Sequence, residues 1–255
     1  MSETWPEDAL SRDAFLGGRL TLAQPKAGYR AGIDPVLLAA SVPIRAGQSL
    51  LDLGCGAGAA MLCCAARVPG VQLSGLERQA DYAGLARRNA QANGITAEVV
   101  TGDLVNMPEA LRQRQFDHVI ANPPYFDRSA SVAARDSGRE MALGEETALA
   151  DWVKAAAKRA ASKGCVTIIH RADRVPELLG AMAQYLGSLE LLPLIPRRGK
   201  PARLALVRGR KGGRAEFLLH DGWLLHEGAS HPGDRENYTK ATACLLRNGA
   251  ALPFC

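Results

Sequence analysis

Leu51-Asp52-Leu53-Gly54-Cys55-Gly56-Ala57-Gly58 is the stretch whose reading decides the fold. The run before it, residues 48–53, is apolar enough for a buried strand, and residues 59–67, rich in Ala, Leu and Cys, suit a helix. Glycines between a strand and a helix let the backbone turn sharply and approach a ligand closely. The spacing is Gly-x-Gly-x-Gly, without the wider G-x-x-G of the dinucleotide fingerprint. A tight turn with no ligand would use the same residues, so the neighbours must decide.

Outward from this turn the chain alternates. Strands are expected at residues 71–76, 97–101, 116–121 and 165–170, and helices at 80–93, 148–161 and 174–186. Alternation of this kind implies a parallel sheet covered by helices on both faces. The pattern then changes, because residues 189–195 and 203–207 read as strands joined by a short loop, which permits only an antiparallel pair. A mostly parallel sheet closed by an antiparallel hairpin resembles the seven-stranded, Rossmann-like α/β sheet of class I methyltransferases. Upstream, residues 18–24 alternate as a short strand, and Asp34-Pro35 predicts an N-capped helix through about Ser41. The expected division is a leader at 1–46, a core at 47–210 and an extension at 211–255. In that extension residues 217–219 and 223–225 are strand-like and 238–247 suit a helix.

Composition narrows the class. At 255 residues with 47% hydrophobic content, the chain suits one large domain or a domain with appendages. No apolar stretch approaches the ~18–20 residues that span a bilayer. The start, with Glu3, Glu7, Asp8 and Asp13, lacks a signal-peptide pattern. Six cysteines show no CxxC and no metal-ligand spacing, so no metal is expected and a cytoplasmic protein with reduced thiols is. The net charge of +5 is uneven: Arg197, Arg198, Lys200, Arg203, Arg208, Arg210, Lys211 and Arg214 lie in one stretch without an acid among them. Such a patch suggests a polyanionic partner, with a solvated basic hairpin as the alternative.

Two acids sharpen the glycine turn. Glu77 ends the second core strand, where a carboxylate can accept both hydroxyls of a ribose. Asp103, in Thr101-Gly-Asp-Leu104, follows the third, where a carboxylate and an adjacent amide can read an adenine edge. Asp52, Gly54, Cys55, Gly56, Gly58, Glu77, Arg78, Asp103 and Leu104 together resemble the S-adenosylmethionine site of class I methyltransferases. In that resemblance Asp52 engages the amino end of the methionine moiety. A cationic sulfonium suits acidic and carbonyl neighbours better than a phosphate-binding helix end.

Asn122-Pro123-Pro124-Tyr125 follows the fourth core strand, off the carboxyl end where open α/β sheets bind ligands. The Asn122 amide oxygen and the Pro123 carbonyl can each accept from an NH₂ group. The prolines stiffen the turn, and Tyr125 offers a ring for stacking. The tetrad resembles that of amino methyltransferases acting on a planar nitrogen, which implies catalytic roles for these residues and places Asn122 beside the cofactor as well. It is shared by adenine-N6 enzymes and by the glutamine-N5 enzymes that modify release factors.

The segment from Gly18 through Gln24, Gly28, Tyr29, Arg30, Gly32 and Asp34 to Ala39 resembles the opening of the bacterial family that methylates adenine N6 beside the anticodon of valine tRNA. Glutamine-specific enzymes instead carry a separate helical N-terminal domain, for which this leader is too short. The resemblance covers roughly residues 15–210. It implies an RNA partner, most naturally tRNA, with Arg30 and Asp34 at the target pocket and Arg197, Arg198, Lys200 and Arg203 gripping phosphates. The alternatives are a glutamine-N5 protein methyltransferase and a non-catalytic RNA-binding module that keeps a cofactor pocket. Trp223, Tyr238 and His231 are equally suited to packing and to stacking on RNA.

Overall fold

Buried apolar strands separated by helices require a sheet with both faces covered, and a computed structural model of the chain has that form. It describes residues 5–125, 147–228 and 237–254. Glu3, the acidic residues Glu140, Glu145 and Glu146, His231 and Cys255 lie outside them. The elements run β1 (Leu10–Phe15), β2 (Leu20–Pro25), α1 (Asp34–Ser41), β3 (Ser49–Leu53), α2 (Ala59–Arg67), β4 (Gln72–Glu77), α3 (Ala80–Ala92), β5 (Ala97–Thr101), α4 (Glu109–Arg112) and β6 (Phe116–Ala121). They continue as α5 (Leu149–Arg159), β7 (Ala160–Arg171), α6 (Val175–Ala183), β8 (Gly187–Ile195), β9 (Leu204–Arg210), β10 (Leu218–Leu219), β11 (Trp223–Leu224) and α7 (Lys240–Asn248).

The sheet order is β10-β8-β9-β7-β6-β3-β4-β5, with β11 also on β8. Strands β3 to β7 are parallel, and β9 alone runs against both of its neighbours, β7 and β8. The segments leaving β3, β4, β5, β6, β7 and β8 therefore share one rim. The expected seven strands are present, and among the described residues the sheet has nine. The dipeptides β10 and β11 both pair in parallel with β8, whose outer backbone groups would otherwise face water unpaired. The reversed strand is also an insertion between β7 and β8, not an appendage beyond the parallel set.

Strand alternation sorts the core into two layers. Leu50, Ile120, Ile169 and Leu206 face one cluster with Leu37, Leu38, Met61 and Leu62 from α1 and α2. Leu51, Leu53, Val119 and Ile168 face the other, with Val153, Leu178 and Met182 from α5 and α6. The C-terminal residues Leu225, Leu245 and Leu252 belong to the first cluster. Trp223 Nε1 donates to Thr242 Oγ1 at 3.0 Å, and the Leu252 amide donates to the Ala40 carbonyl at 2.8 Å. Tyr238 stacks on His226 with ring centroids 4.7 Å apart. Trp223 and Tyr238 are thus committed to packing.

Two expectations about the leader change. It is an antiparallel hairpin, with Leu10 opposite Pro25, where a polar segment with one strand was expected. Its turn packs so tightly on α7 that a Cβ on Gly17 would lie 2.5 Å from the Arg247 carbonyl oxygen. Asp34 does not cap α1: Ile33 holds that position with no side-chain cap bond, and Asp34 is inside the first turn. Its carboxylate has another partner, described below.

The hairpin is held to the core by two asparagines one turn apart, Asn89 on α3 and Asn93 at its C-terminal cap. Asn93 exchanges hydrogen bonds with the Thr21 backbone, both at 2.9 Å. Asn89, 1% exposed, accepts from the Ala23 amide at 2.8 Å and donates to the Ala23 and Ala57 carbonyls at 3.0 and 2.9 Å. One side chain thus ties the hairpin, α3 and the glycine turn together. Removing it strands buried backbone groups, each at a cost of about 1–3 kcal/mol. Asn89→Ala is expected to lower unfolding stability by roughly 2–4 kcal/mol with an unchanged denaturant slope, measured by urea unfolding.

Candidate active site

The glycine turn is pinned to the neighbouring strand. The amides of Gly54 and Cys55 both donate to the Leu76 carbonyl, at 2.7 and 3.0 Å. Gly54, Gly56 and Gly58 have φ of +66°, +53° and +88°, a region closed to most side chains. Gly54 must also be bare because a Cβ there would lie 2.5 Å from the Trp152 ring. Gly58 serves the turn from behind the cavity wall: its amide donates to the Cys55 carbonyl at 2.8 Å, and Leu62, Met61 and Ala86 fill the space a side chain would take.

A single cavity on the carboxyl rim is lined by Asp52, Gly54, Cys55, Gly56, Glu77, Arg78, Asp103, Leu104 and the whole tetrad Asn122–Tyr125. The structure thus brings both halves of the expected site into one wall. Glu77 Oε2 accepts from the Gly56 amide and Oε1 from the Gln79 amide, both at 2.9 Å. Each oxygen keeps acceptor capacity beyond these bonds. Burial raises its carboxyl above the usual range, against the pull of those amides. Asp52 is 2% exposed; burial, with the nearby Glu77 charge adding to it, pushes its carboxyl up to about 8 against a 3.2 Å bond from the Met61 amide. Asp103 Oδ1 accepts from the Val105 amide at 2.7 Å, while Arg78 lies 4.0 Å from its other oxygen.

Asn122 shows an unfilled bond. Its Oδ1 is buried and has no hydrogen-bond partner among the described residues. A bare buried amide oxygen in a cavity wall is placed to accept from a ligand. Tyr125 is fixed instead of free: its hydroxyl donates to Asp34 Oδ2 at 2.8 Å, and its ring meets His170 edge-on at a centroid distance of 5.4 Å. Burial, then the Asp34 charge and that bond, hold the phenol well above its ordinary pKa. His170 is fully buried, with Nδ1 accepting from the Arg171 amide, and desolvation brings its ring down to about 4, so it is neutral.

The remaining expected residues divide. Arg30 pairs with Asp13 at 2.9 Å and Asp34 with Tyr125; neither lines the cavity. Arg198, Lys200 and Arg203 are exposed on the β8–β9 loop. That loop leaves the same rim as the cavity, three strands from the end of β6, or ~14 Å at ordinary strand spacing. Arg197 is already engaged, bonding the Glu227 carbonyl and, at 3.0 Å, Asn237 Oδ1. Arg208 leaves the basic stretch altogether, since its guanidinium lies 4.0 Å over the Phe254 ring and bonds the Ser41 carbonyl.

Several lining residues escaped the sequence reading. Tyr82 and Trp152 look like ordinary core positions on helices α3 and α5. Only the bare Gly54, which needs clearance for something large, hinted at Trp152. Gln24 lines the cavity too, and its Oε1 accepts from the Ala31 amide at 2.7 Å, drawing the loop into α1 over the site. Tyr29 follows the same path, with the Tyr82 hydroxyl 3.1 Å from both its amide nitrogen and its carbonyl oxygen.

This donor set fits S-adenosylmethionine. Three carboxylates, an amide oxygen without a partner among the described residues and aromatic walls favour a cationic, hydroxyl-bearing nucleoside, and Arg78 is the only cationic side chain among the lining residues described. A dinucleotide pyrophosphate would face net negative charge.

Known proteins resemble the chain in sequence and in fold. The family model described as methyltransferase small domain matches residues 31–190. A "tRNA1(Val) (adenine(37)-N6)-methyltransferase" from Porphyromonas gingivalis is 31% identical over 186 residues, covering 68% of this chain and 71% of its own. One of the same name from Yersinia enterocolitica is 28% identical over 206 residues, covering 78% and 81%. The solved structure of a predicted O-methyltransferase, protein Atu636 from Agrobacterium tumefaciens, superposes with a TM-score of 0.69 at 30% identity, covering 86% of this chain and 98% of that one. With family, fold and cavity in accord, the chain belongs to the methyltransferase small domain family and is a class I S-adenosylmethionine-dependent methyltransferase.

Proposed function

We propose that the enzyme methylates the exocyclic N6 of an adenine in RNA, with tRNA as the substrate. The observation that carries this reading is the buried Asn122 Oδ1, without a hydrogen-bond partner among the described residues, in the wall of a cavity rich in acids. The relatives named for tRNA adenine-N6 methylation support it.

When bound, S-adenosylmethionine supplies an electrophilic methyl group on a sulfonium sulfur. Glu77 would accept the ribose hydroxyls, Asp103 with the Leu104 backbone would read the adenine edge of the cofactor, and ionised Asp52 would face its amino end. Gly54, Cys55 and Gly56 allow close approach, with Arg78 at the outer wall. The Asn122 amide oxygen and the Pro123 carbonyl accept the two N–H bonds of the target amine. Those bonds withdraw the nitrogen lone pair from the ring and direct it at the methyl. Methylation of the amine would displace one of its protons, which leaves to water. Positioning and preorganised dipoles supply the acceleration, so no dedicated base is required. Pro124 stiffens the turn, and Tyr125 stacks on the flipped-out base. Arg198, Lys200 and Arg203 hold the RNA backbone. A tRNA substrate sets the enzyme in the cytoplasm; among the described residues no helix is long and apolar enough to cross a membrane.

The reading is tested by transfer of a labelled methyl group to fractionated tRNA and protein, followed by nucleoside mass spectrometry. N6-methyladenosine in tRNA is expected, while label in release factors alone would favour the glutamine-N5 reading. Tight cofactor binding without transfer to any pool would favour a binding module. Asn122→Ala is expected to lower kcat by about 10²–10³ while cofactor affinity changes by less than about threefold. Loss of cofactor binding in this variant would reverse the assignment.

Asp52 makes cofactor affinity depend on pH. Its carboxyl titrates near 8 in the free protein and must be ionised to face a cation. Affinity is therefore lost as pH falls below that value and is complete above it. The wild-type to Asp52→Asn affinity ratio, taken so that the ligand's own titration cancels, should climb by up to about tenfold per unit between pH 6 and 8 and then flatten. A ratio constant across that range in calorimetric titrations would show that Asp52 does not ionise for the ligand.

The basic loop has its own signature. Replacing Arg198, Lys200 and Arg203 together by Ala should reduce the slope of log affinity against log salt by about 2–3. Arg197→Ala should lower thermal stability more than that slope, since its guanidinium already bonds the tail.

A further inference from the structure

Tyr125 is held from two elements that do not carry it. Its hydroxyl donates to Asp34 Oδ2 at 2.8 Å, and its ring stands edge-on to His170 at 69°. His170 is the penultimate residue of β7 and is fully buried; Asp34 lies in the first turn of α1. The seven residues of α1 after Asp34 are all buried, so the carboxylate is mounted on a fixed element. Burial raises its carboxyl above the ordinary range, and the Tyr125 hydroxyl bond opposes that rise. The approach to α1 is equally tied, because Gln24 Oε1 accepts from the Ala31 amide and Gln24 Nε2 donates to Asp13 at 2.7 Å. Pro35, next to Asp34, lines the cavity, whereas Asp34 does not.

A tyrosine that stacks on a base needs its ring plane set before the base arrives, because a rotatable ring surrenders that freedom on binding. With the ring flanked by His170, the hydroxyl is the remaining handle, and Asp34 takes it. We propose that Asp34 is a positioning residue: by accepting the Tyr125 hydroxyl it sets the ring against which the acceptor amine is presented, and so joins the cap over the cofactor to the acceptor strand. This rests on the function proposed above. It gives Asp34 no contact with RNA and places its effect in kcat, with KM and cofactor affinity little changed.

A four-protein cycle tests the assignment: wild type, Asp34→Ala, Tyr125→Phe and the double variant, with kcat and KM on tRNA, calorimetric affinity for S-adenosylmethionine, and melting temperature. Each single change should lower kcat about tenfold, and the double variant should be no slower than the slower single. Cofactor affinity should stay within about twofold. Asp34→Asn, whose amide oxygen still accepts from the hydroxyl, should recover most of the loss. Multiplying losses in the double variant, near a hundredfold, would mean that Asp34 and Tyr125 act separately and would overturn the proposal. So would a loss of rate that follows cofactor affinity or melting temperature and is not rescued by Asp34→Asn. If the wild type labels a release-factor glutamine and no RNA, the substrate reading falls, and the same cycle on that acceptor still decides the role of Asp34.

Discussion

Two amides, those of Gly54 and Cys55, share the Leu76 carbonyl, and the geometry of the site follows from that junction. It folds the turn after β3 across the end of β4, which brings Glu77 within 2.9 Å of the Gly56 amide. Only left-handed glycines allow such a path, and Trp152 against Gly54 removes the room for anything larger. Asp52, one residue inside the strand, is thereby sealed in a medium that opposes its charge. A cationic group placed beside it would relieve that opposition.

The acceptor half is built on different principles. Asn122 keeps a buried oxygen without a partner among the described residues, an arrangement folding alone would remove. Its cost is carried by a stiff Pro-Pro backbone and by the flanking β6–β7 pairing. Tyr125 is bonded at its hydroxyl and flanked at its ring, so the tetrad is a preorganised surface. The N-terminal hairpin and α1, clamped by Asn89 and Asn93, then roof the cofactor side with Gln24 and Tyr29.

The C-terminal segment shows how local charge can mislead. Eight basic residues in one stretch suggested a single patch. In the fold Arg208 points inward to Phe254 and Ser41, and Arg197 binds the tail. Arg198, Lys200 and Arg203 stay exposed on a loop that leaves the same rim of the sheet as the cavity. Strand alternation separates residues that are adjacent in a list but on opposite faces of a sheet.

What the chain declares by itself is whatever short-range physics can encode. The glycine turn, the acids closing β4 and following β5, and the Asn-Pro-Pro-Tyr tetrad were legible because each sits beside its own strand, and strand order in a parallel α/β sheet places strand ends on one rim. Helix α2 and strands β5 and β6 follow from periodicity and turn residues to the residue. Partners distant in sequence were not legible. Nothing local tells Asp34, a good capping residue, to leave its cap for Tyr125, 91 positions away. Nor does any pattern announce that Trp152 must meet Gly54, or that two dipeptides near the end extend the sheet on β8. Those choices depend on which buried polar groups and open edges remain once the core has closed, and only the tertiary structure settles that.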